Sequence, residues 1–355
     1  MQQLTESSSS FQRSRNSLPW LAAAGLSAAG LAALAKWMSG IRRPTVELRG
    51  KIALISGGSR GLGLAIAQEF GKQGCKIGLC ARDQAELDQA AKQLEQMNIE
   101  TAVFVCDLTK ETEITSLVER VVEHFGRIDI LVNNAGEIKV APFEKVSHDD
   151  FEEAMNLMFW GPVNLTLAAI PHMRKQGGGH IVNITSVGGR VAIPHLLPYS
   201  CAKFAFVGFS TGLSSELDPN HLHVLTVVPG LMRTGSYLNA KFKGSANQEF
   251  GWFSILGNLP GLSVAARDAA RSIRDALASR QLTCTISFPA KLLIQSEAIL
   301  PEATRAAMQI LNQVILPKAS KTTRELTGKA ANSRFGGLFQ AVTLLGKDAA
   351  QAFNE

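Results

Sequence analysis

The chain has 355 residues, a formal net charge of +6, and a composition that is 46% hydrophobic and 19% charged. At about 100–200 residues per domain, this length allows two domains or one large α/β domain, and the composition excludes disordered, collagen-like and disulfide-scaffold chains. Residues 51–290 hold 22 Lys+Arg against 23 Asp+Glu, so the basic excess lies entirely in the flanks and the centre offers no electrostatic footprint for a nucleic acid.

Residues 1–17 are polar and Ser-rich and are expected to form a disordered tail. The run from Leu18 to Ala35 then carries Ser27 as its only polar side chain. At about 1.5 Å per residue it reaches roughly 27 Å, enough for a thin hydrocarbon core. Trp20 and Trp37 bracket it, with Arg13 and Arg15 before and Lys36, Arg42 and Arg43 after. Three readings stand: a single-pass anchor over 18–38 with the remainder on the cytoplasmic side, a signal peptide cleaved near Ala33-Leu34-Ala35, or a buried or surface-lying amphipathic helix; the alternative localisation is cytoplasmic. A polytopic membrane protein is excluded, because no second run approaches spanning length.

From Lys51 the pattern becomes short apolar runs alternating with helical stretches. The strand candidates are 51–56, 76–80, 101–106, 128–133, 180–185, 223–228 and 284–288. Each is nearly continuous in apolar residues, as strands covered on both faces are. Crossover helices are expected over 62–73, 83–97, 111–125, 148–176 and 200–217. The fold class is therefore α/β, a doubly wound parallel sheet of about seven strands with helices on both faces. Residues 232–265 read as a mobile loop with a helical piece, 299–316 as one helix, and 318–355 as polar with short apolar pieces. Cys75, Cys80, Cys106 and Cys284 fall in strand-like runs and are expected to be buried, and no Cys or His spacing suits a metal.

The first strand runs into Ser56-Gly57-Gly58-Ser59-Arg60-Gly61-Leu62-Gly63 ahead of a helical pattern. Glycines there permit a tight turn and close approach of a diphosphate, and the helix start supplies free N–H groups. The second strand ends at Ala81-Arg82 rather than at an acidic residue that would bond ribose hydroxyls. Arg60 and Arg82 suit a 2′-phosphate through forked, charge-assisted bonds, favouring NADP over NAD.

Tyr199 and Lys203, four apart, share a helix face, and Ser186 ends the preceding strand thirteen residues before Tyr199. With the glycine turn, Asn133-Asn134-Ala135-Gly136, and Pro229-Gly230 followed by Thr234, these residues make the chain similar to the short-chain dehydrogenase/reductase family in its single-domain Rossmann form over roughly 48–290. The resemblance implies carbonyl–alcohol interconversion by hydride transfer. Tyr199 is then the general acid or base, Lys203 the group that binds ribose and lowers the tyrosine pKa, and Ser186 the substrate-oxygen partner. It also implies that Asn156 holds a relay water, that Asp107 and Leu108 contact the adenine, and that Asn134, Ala135 and Gly136 line the cofactor channel. Pro229, Gly230 and Thr234 take the nicotinamide end. Physically, a phenol near 10 is a sluggish base, and lowering it by about three units needs roughly 4 kcal/mol from a nearby ammonium. Ser56 stands where the family usually has threonine, and its hydroxyl is expected to serve equally.

His195 lies between Ser186 and Tyr199, but no acidic orienter for a Ser/His hydrolase is apparent. Tyr237, Phe242, Phe250, Trp252, Phe253, Ile255 and Leu256 crowd the loop after Thr234. They suit either a large apolar substrate or ordinary lid packing. A membrane-bound NADP-binding scaffold without turnover is the alternative function. The resemblance also implies a homodimer or homotetramer. Leu300, Met308, Ile310, Leu311, Ile315 and Leu316 suit a membrane or partner contact, or simple packing.

Overall fold

Each of the seven apolar runs becomes a strand, and all seven join one sheet in a computed structural model that describes Gly30 and residues 45–320, 324–332 and 343–355. In chain order the elements begin β1 (Ile52–Ser56), α1 (Gly61–Lys72), β2 (Lys76–Ala81), α2 (Gln84–Glu95), β3 (Thr101–Val105) and α3 (Glu111–Phe125). Next come β4 (Ile130–Asn133), a short β5 (Lys139–Val140), α4 (His148–Met155), α5 (Gly161–Lys175), β6 (Gly179–Ile184), α6 (Leu197–Glu216) and β7 (Leu222–Pro229). The large sheet is completed by β11 (Thr283–Ile286), in the order β11-β7-β6-β4-β1-β2-β3, with every pairing parallel. All residues of β1, β4 and β7 are buried, as the unbroken apolar runs require. One face packs Leu64, Ile66 and Phe70 of α1 against Ile273 and Leu277 of α8 (Ala266–Ala278). The other packs Leu117 and Val121 of α3 against Leu165 and Met173 of α5. Strand order reverses between β4 and β1, and the crevice opened by such a reversal is where open α/β sheets hold ligands.

Between β7 and β11 the chain builds a lid: β8 (Leu231–Arg233), β9 (Lys241–Phe242), α7 (Ala246–Asn258) and β10 (Ser263–Ala265). β9 lies between β5 and β12 (Leu326–Thr327) in a separate small sheet. The region expected to be a mobile loop is thus largely ordered.

Two helix expectations are corrected. The stretch 148–176 is divided by a π turn, Asn156–Trp160. The helix expected over 299–316 starts only at Pro301, as α10 (Pro301–Ile310) running into a π turn over Leu311–Ile315, and a separate α9 (Phe288–Ile299) precedes it. Pro301 has no N–H to continue α9 and biases Leu300 away from helical geometry, which Leu300 shows at φ −131°, ψ 62°. Beyond these lie α11 (Gly328–Asn332) and α12 (Leu344–Ala352). Thr45–Glu355 form one compact unit, so the extension packs on the catalytic fold.

Cys75, Cys80 and Cys106 are buried as expected, but Cys284 is only half-buried because β11 is an edge strand. Among the described residues no helix is long and apolar enough to cross a membrane. The tail 1–17 and, apart from Gly30, the apolar run 18–38 lie outside the described residues.

Candidate active site

The carboxyl ends of the strands open onto a cavity of about 780 Å³. At one end lies the glycine-rich turn. Gly61 adopts φ +56°, a left-handed conformation that favours glycine, and a Cβ on Gly63 would run into the Gly57 carbonyl. No side chain caps the start of α1, where a dinucleotide diphosphate would find backbone N–H donors. Ser56 performs the task expected of the threonine it replaces. Its hydroxyl donates to the Val132 carbonyl at 3.2 Å and accepts the Asn134 and Ala135 N–H groups at 3.0 and 3.3 Å. The Asn134 amide in turn donates to the Gly57 carbonyl at 3.0 Å, locking the end of β4 to the turn.

Ser186, Tyr199 and Lys203 converge on the same cavity. The Ser186 hydroxyl accepts the Gly188 N–H at 3.0 Å. Lys203 is 4% exposed and donates to the Ile184 carbonyl at 3.0 Å, with its ammonium 5.9 Å from the Tyr199 ring centre. Burial pulls Lys203 down to about 8. Burial also pushes the Tyr199 phenol above its ordinary value, and its hydrogen bond with Ser186 opposes that only in part. The lowering expected from Lys203 is not seen in the free chain, where its ammonium stands 5.9 Å from the ring centre.

Most of the expected cofactor residues line the cavity: Gly57, Ser59, Arg60, Gly61 and Leu62 in the turn, Arg82 at the end of β2, Leu108 after β3, Asn134 to Gly136 after β4, and Pro229, Gly230 and Thr234 after β7. Three expected residues are not among the lining residues. Gly63 acts through packing, as above. Asp107 turns back on Thr109, accepting its N–H at 3.0 Å. Asn156 is exposed, because α4 gives way there to the π turn, which buries Met158 instead.

Several contributors escaped sequence reasoning. Glu86 of α2 accepts from Arg60 at 2.7 Å and from Ser59 at 3.1 Å. Glu249 supplies His195 with the acidic partner that the sequence left unseen, at 2.9 Å, and accepts Trp252 Nε1 at 2.7 Å. That set braces the lid and has no bond with Ser186, so it is no hydrolase triad. The lid aromatics divide. Tyr237, Phe242 and Phe250 are buried in the lid's own core, whereas Trp252, Phe253 and Leu256 line the cavity. Met308 and Leu311 line it too, while Leu300, Ile310 and Ile315 stay exposed and Leu316 is buried.

Residues 51–242 match the family model for short chain dehydrogenase. The chain belongs to the short-chain dehydrogenase family. It is 37% identical over 198 residues to a dehydrogenase/reductase SDR family protein 7-like of Drosophila melanogaster, covering 55% of this chain and 61% of that one. It is 32% identical over 189 residues to a 3alpha-hydroxysteroid dehydrogenase of Mediterraneibacter gnavus, covering 53% of this chain and 76% of that one. Among solved structures it resembles the L-sorbose reductase of Gluconobacter frateurii, solved with NADPH and L-sorbose. That likeness has a TM-score of 0.61 at 25% identity and covers 68% of this chain and 97% of the other. This short-chain dehydrogenase is an oxidoreductase acting on CH–OH groups or carbonyls, of a family that binds NAD(P).

Proposed function

We propose that this enzyme reduces a hydrophobic carbonyl compound with NADPH, with Tyr199 as the general acid. The main support is the meeting of Ser186, Tyr199 and Lys203 in one cavity whose other end is the glycine-rich turn. When bound there, the nicotinamide supplies the hydride. The Ser186 oxygen accepts the Gly188 N–H, and its proton, directed at Tyr199 in the free chain, can turn to the substrate oxygen. Tyr199, held above its ordinary value by burial, keeps its proton at neutral pH and can deliver it to the developing alkoxide. Lys203 holds its place on the Ile184 carbonyl at the cofactor side.

NADP over NAD is supported by Arg60 and Arg82 at the adenosine end and by the fate of the nearest acid. The Asp83 side chain accepts the Glu86 N–H at 3.0 Å as the cap of α2, a bond that competes with any bond to a ribose. A hydrophobic substrate is supported by Trp252, Phe253, Leu256, Leu293, Met308 and Leu311, which form the apolar part of the cavity wall. A scaffold without turnover would have no need of the Ser186–Tyr199–Lys203 set.

The test is NADPH and NADH consumption across a panel of hydrophobic ketones. NADPH-dependent turnover is expected, reduced by about 10²–10⁴-fold in Tyr199→Phe while cofactor binding is kept. Turnover of small polar sugars or diols alone refutes the hydrophobic reading.

We further infer attachment to a membrane, with the enzyme on the cytoplasmic face. The apolar run 18–35 with its basic flanks supports this, as do Phe288, Leu292, Ile299, Ile310 and Val314, all exposed beside the residues that wall the cavity. Complete release of uncleaved protein by a carbonate wash refutes it. Pairing into a dimer or tetramer is supported by exposed Trp160, Leu167 and Phe204. Light scattering that returns a monomer refutes that.

A further inference from the structure

The glycine-rich turn already has an occupant from the far end of the described chain. The Phe353 carbonyl accepts the Gly61 N–H at 2.8 Å, taking one of the donors at the start of α1. Asn354 Nδ2 donates to the Ser59 carbonyl at 3.0 Å and to the Glu86 carbonyl at 3.2 Å. The Glu355 carboxylate lies 3.8 Å from Arg60 Nε and accepts a hydrogen bond from Asn239. It sits so close to Gly61 that a Cβ there would strike Glu355 Oε1, and the next neighbour of that Cβ is Thr234. On the opposite side, a Cβ on Gly235 would meet Ala350 and the Glu355 Cβ within 3 Å. The segment therefore threads between the turn 59–61 and the loop 234–235, the two walls that would hold a dinucleotide diphosphate. Phe353 anchors it: the ring is 3% exposed in the main core, with the Arg267 guanidinium 5.8 Å from its centre.

We propose that residues 353–355 are a built-in competitor for the cofactor diphosphate, docked on the turn in the free enzyme and displaced when the dinucleotide binds. The two occupants claim the same N–H donor and the same space between the turn and the loop, so they exclude one another. The proposal rests on the family's dinucleotide seat and not on the choice of NADP over NAD, because both carry the diphosphate. The Glu355 side chain is only 5% exposed, and burial pushes its carboxyl up to about 7. The groups that face it are Arg60 and Lys329, which favour its charge, Asn239, which bonds it, and Glu86, which opposes it.

The test uses the full chain and keeps Phe353, whose loss would open the core. Dissociation constants for NADPH and NADH are measured by calorimetry in the wild type, Glu355→Ala and Asn354→Ala/Glu355→Ala. Hydrogen exchange of 344–355 is followed in the wild type with and without NADPH. The expected result is binding about tenfold tighter in the variants for both cofactors, with faster exchange in 344–355 when NADPH is present. Dinucleotide binding that is unchanged or weaker in the variants, or that protects 344–355, overturns the proposal alone and makes the segment a clasp or a bystander. If no form binds a dinucleotide, the seat itself is misassigned and the proposal fails with it.

Discussion

Asp150 pins the small sheet beneath the lid to α4, and Asp150→Asn should cost about 3 kcal/mol of stability. The residue is 3% exposed, and its carboxylate accepts from Lys139 of β5, from Lys243 just past β9 at 2.6 and 2.8 Å, and from the Ser147 N–H at 2.8 Å. Removing one partner from a buried ion pair costs about 3–5 kcal/mol, because the other charge is stranded. Here both lysines keep some compensation: Glu153 stays 2.8 Å from Lys139 and Glu325 3.9 Å from Lys243. Those glutamates are more exposed, at 60% and 34% of their side chains, so they compensate incompletely and the low end of the range applies. Against a total of about 5–15 kcal/mol this is a large fraction. The assay is urea unfolding at pH 7, where the midpoint should fall with the slope unchanged. Burial alone would push the Asp150 carboxyl up, but the bonds from Lys139, Lys243 and Ser147 override it and hold it well below the usual carboxylate range. Its stabilisation is thus fully present above the unfolded value near 4 and is lost as pH falls through the folded one. The gap between wild type and variant should stay constant from about pH 5 to 8 and narrow only in strong acid. The double variant Asp150→Asn/Lys243→Met should recover part of the loss. A deficit under about 1 kcal/mol at pH 7, or one that widens on acidification, refutes the reasoning.

Arg82→Ala should lower the preference for NADPH over NADH about tenfold, the worth of one or two charge-assisted bonds, in fluorescence titrations; equal loss for both cofactors shows that no 2′-phosphate is bound there. Trp252→Ala should raise KM for bulky apolar ketones several-fold with kcat held, since the indole lines the cavity and reaches no reacting atom, and a fall in kcat alone contradicts this. Ser56→Ala should cost about 1–2 kcal/mol in urea unfolding and weaken both cofactors together, because two N–H groups at the end of β4 lose their acceptor, whereas Ser56→Thr should behave as wild type.

The sheet was legible because each strand is covered on both faces and so must be apolar throughout, a pattern that survives without knowledge of its neighbours. The residues that converge on the cavity were legible for a related reason: the glycine turn sits between the first strand and helix, and Tyr199 and Lys203, four apart, share one helix face. The exposure of Asn156 was not legible, because its orientation depends on how a helix gives way to a π turn, which no spacing encodes. The helix over 299–316 begins two residues later than expected, at Pro301, and its last turn over Leu311–Ile315 widens to a π turn. The lid aromatics could not be sorted into core and cavity, because Tyr237 and Trp252 have the same apolar signature and differ only in what the small sheet and α7 place around them.

The sequence by itself determined the parallel sheet, the family, the turn that fits a diphosphate and the Ser186–Tyr199–Lys203 set, since each depends on residue types at short, fixed separations. Tertiary structure alone decided the pairings across long separations: Glu86 with Arg60, Glu249 with His195 and Trp252, and Glu355 on a turn almost three hundred residues earlier. It also decided the direction in which Tyr199 and Lys203 titrate, because burial is a property of the folded surroundings and raises the phenol while lowering the ammonium.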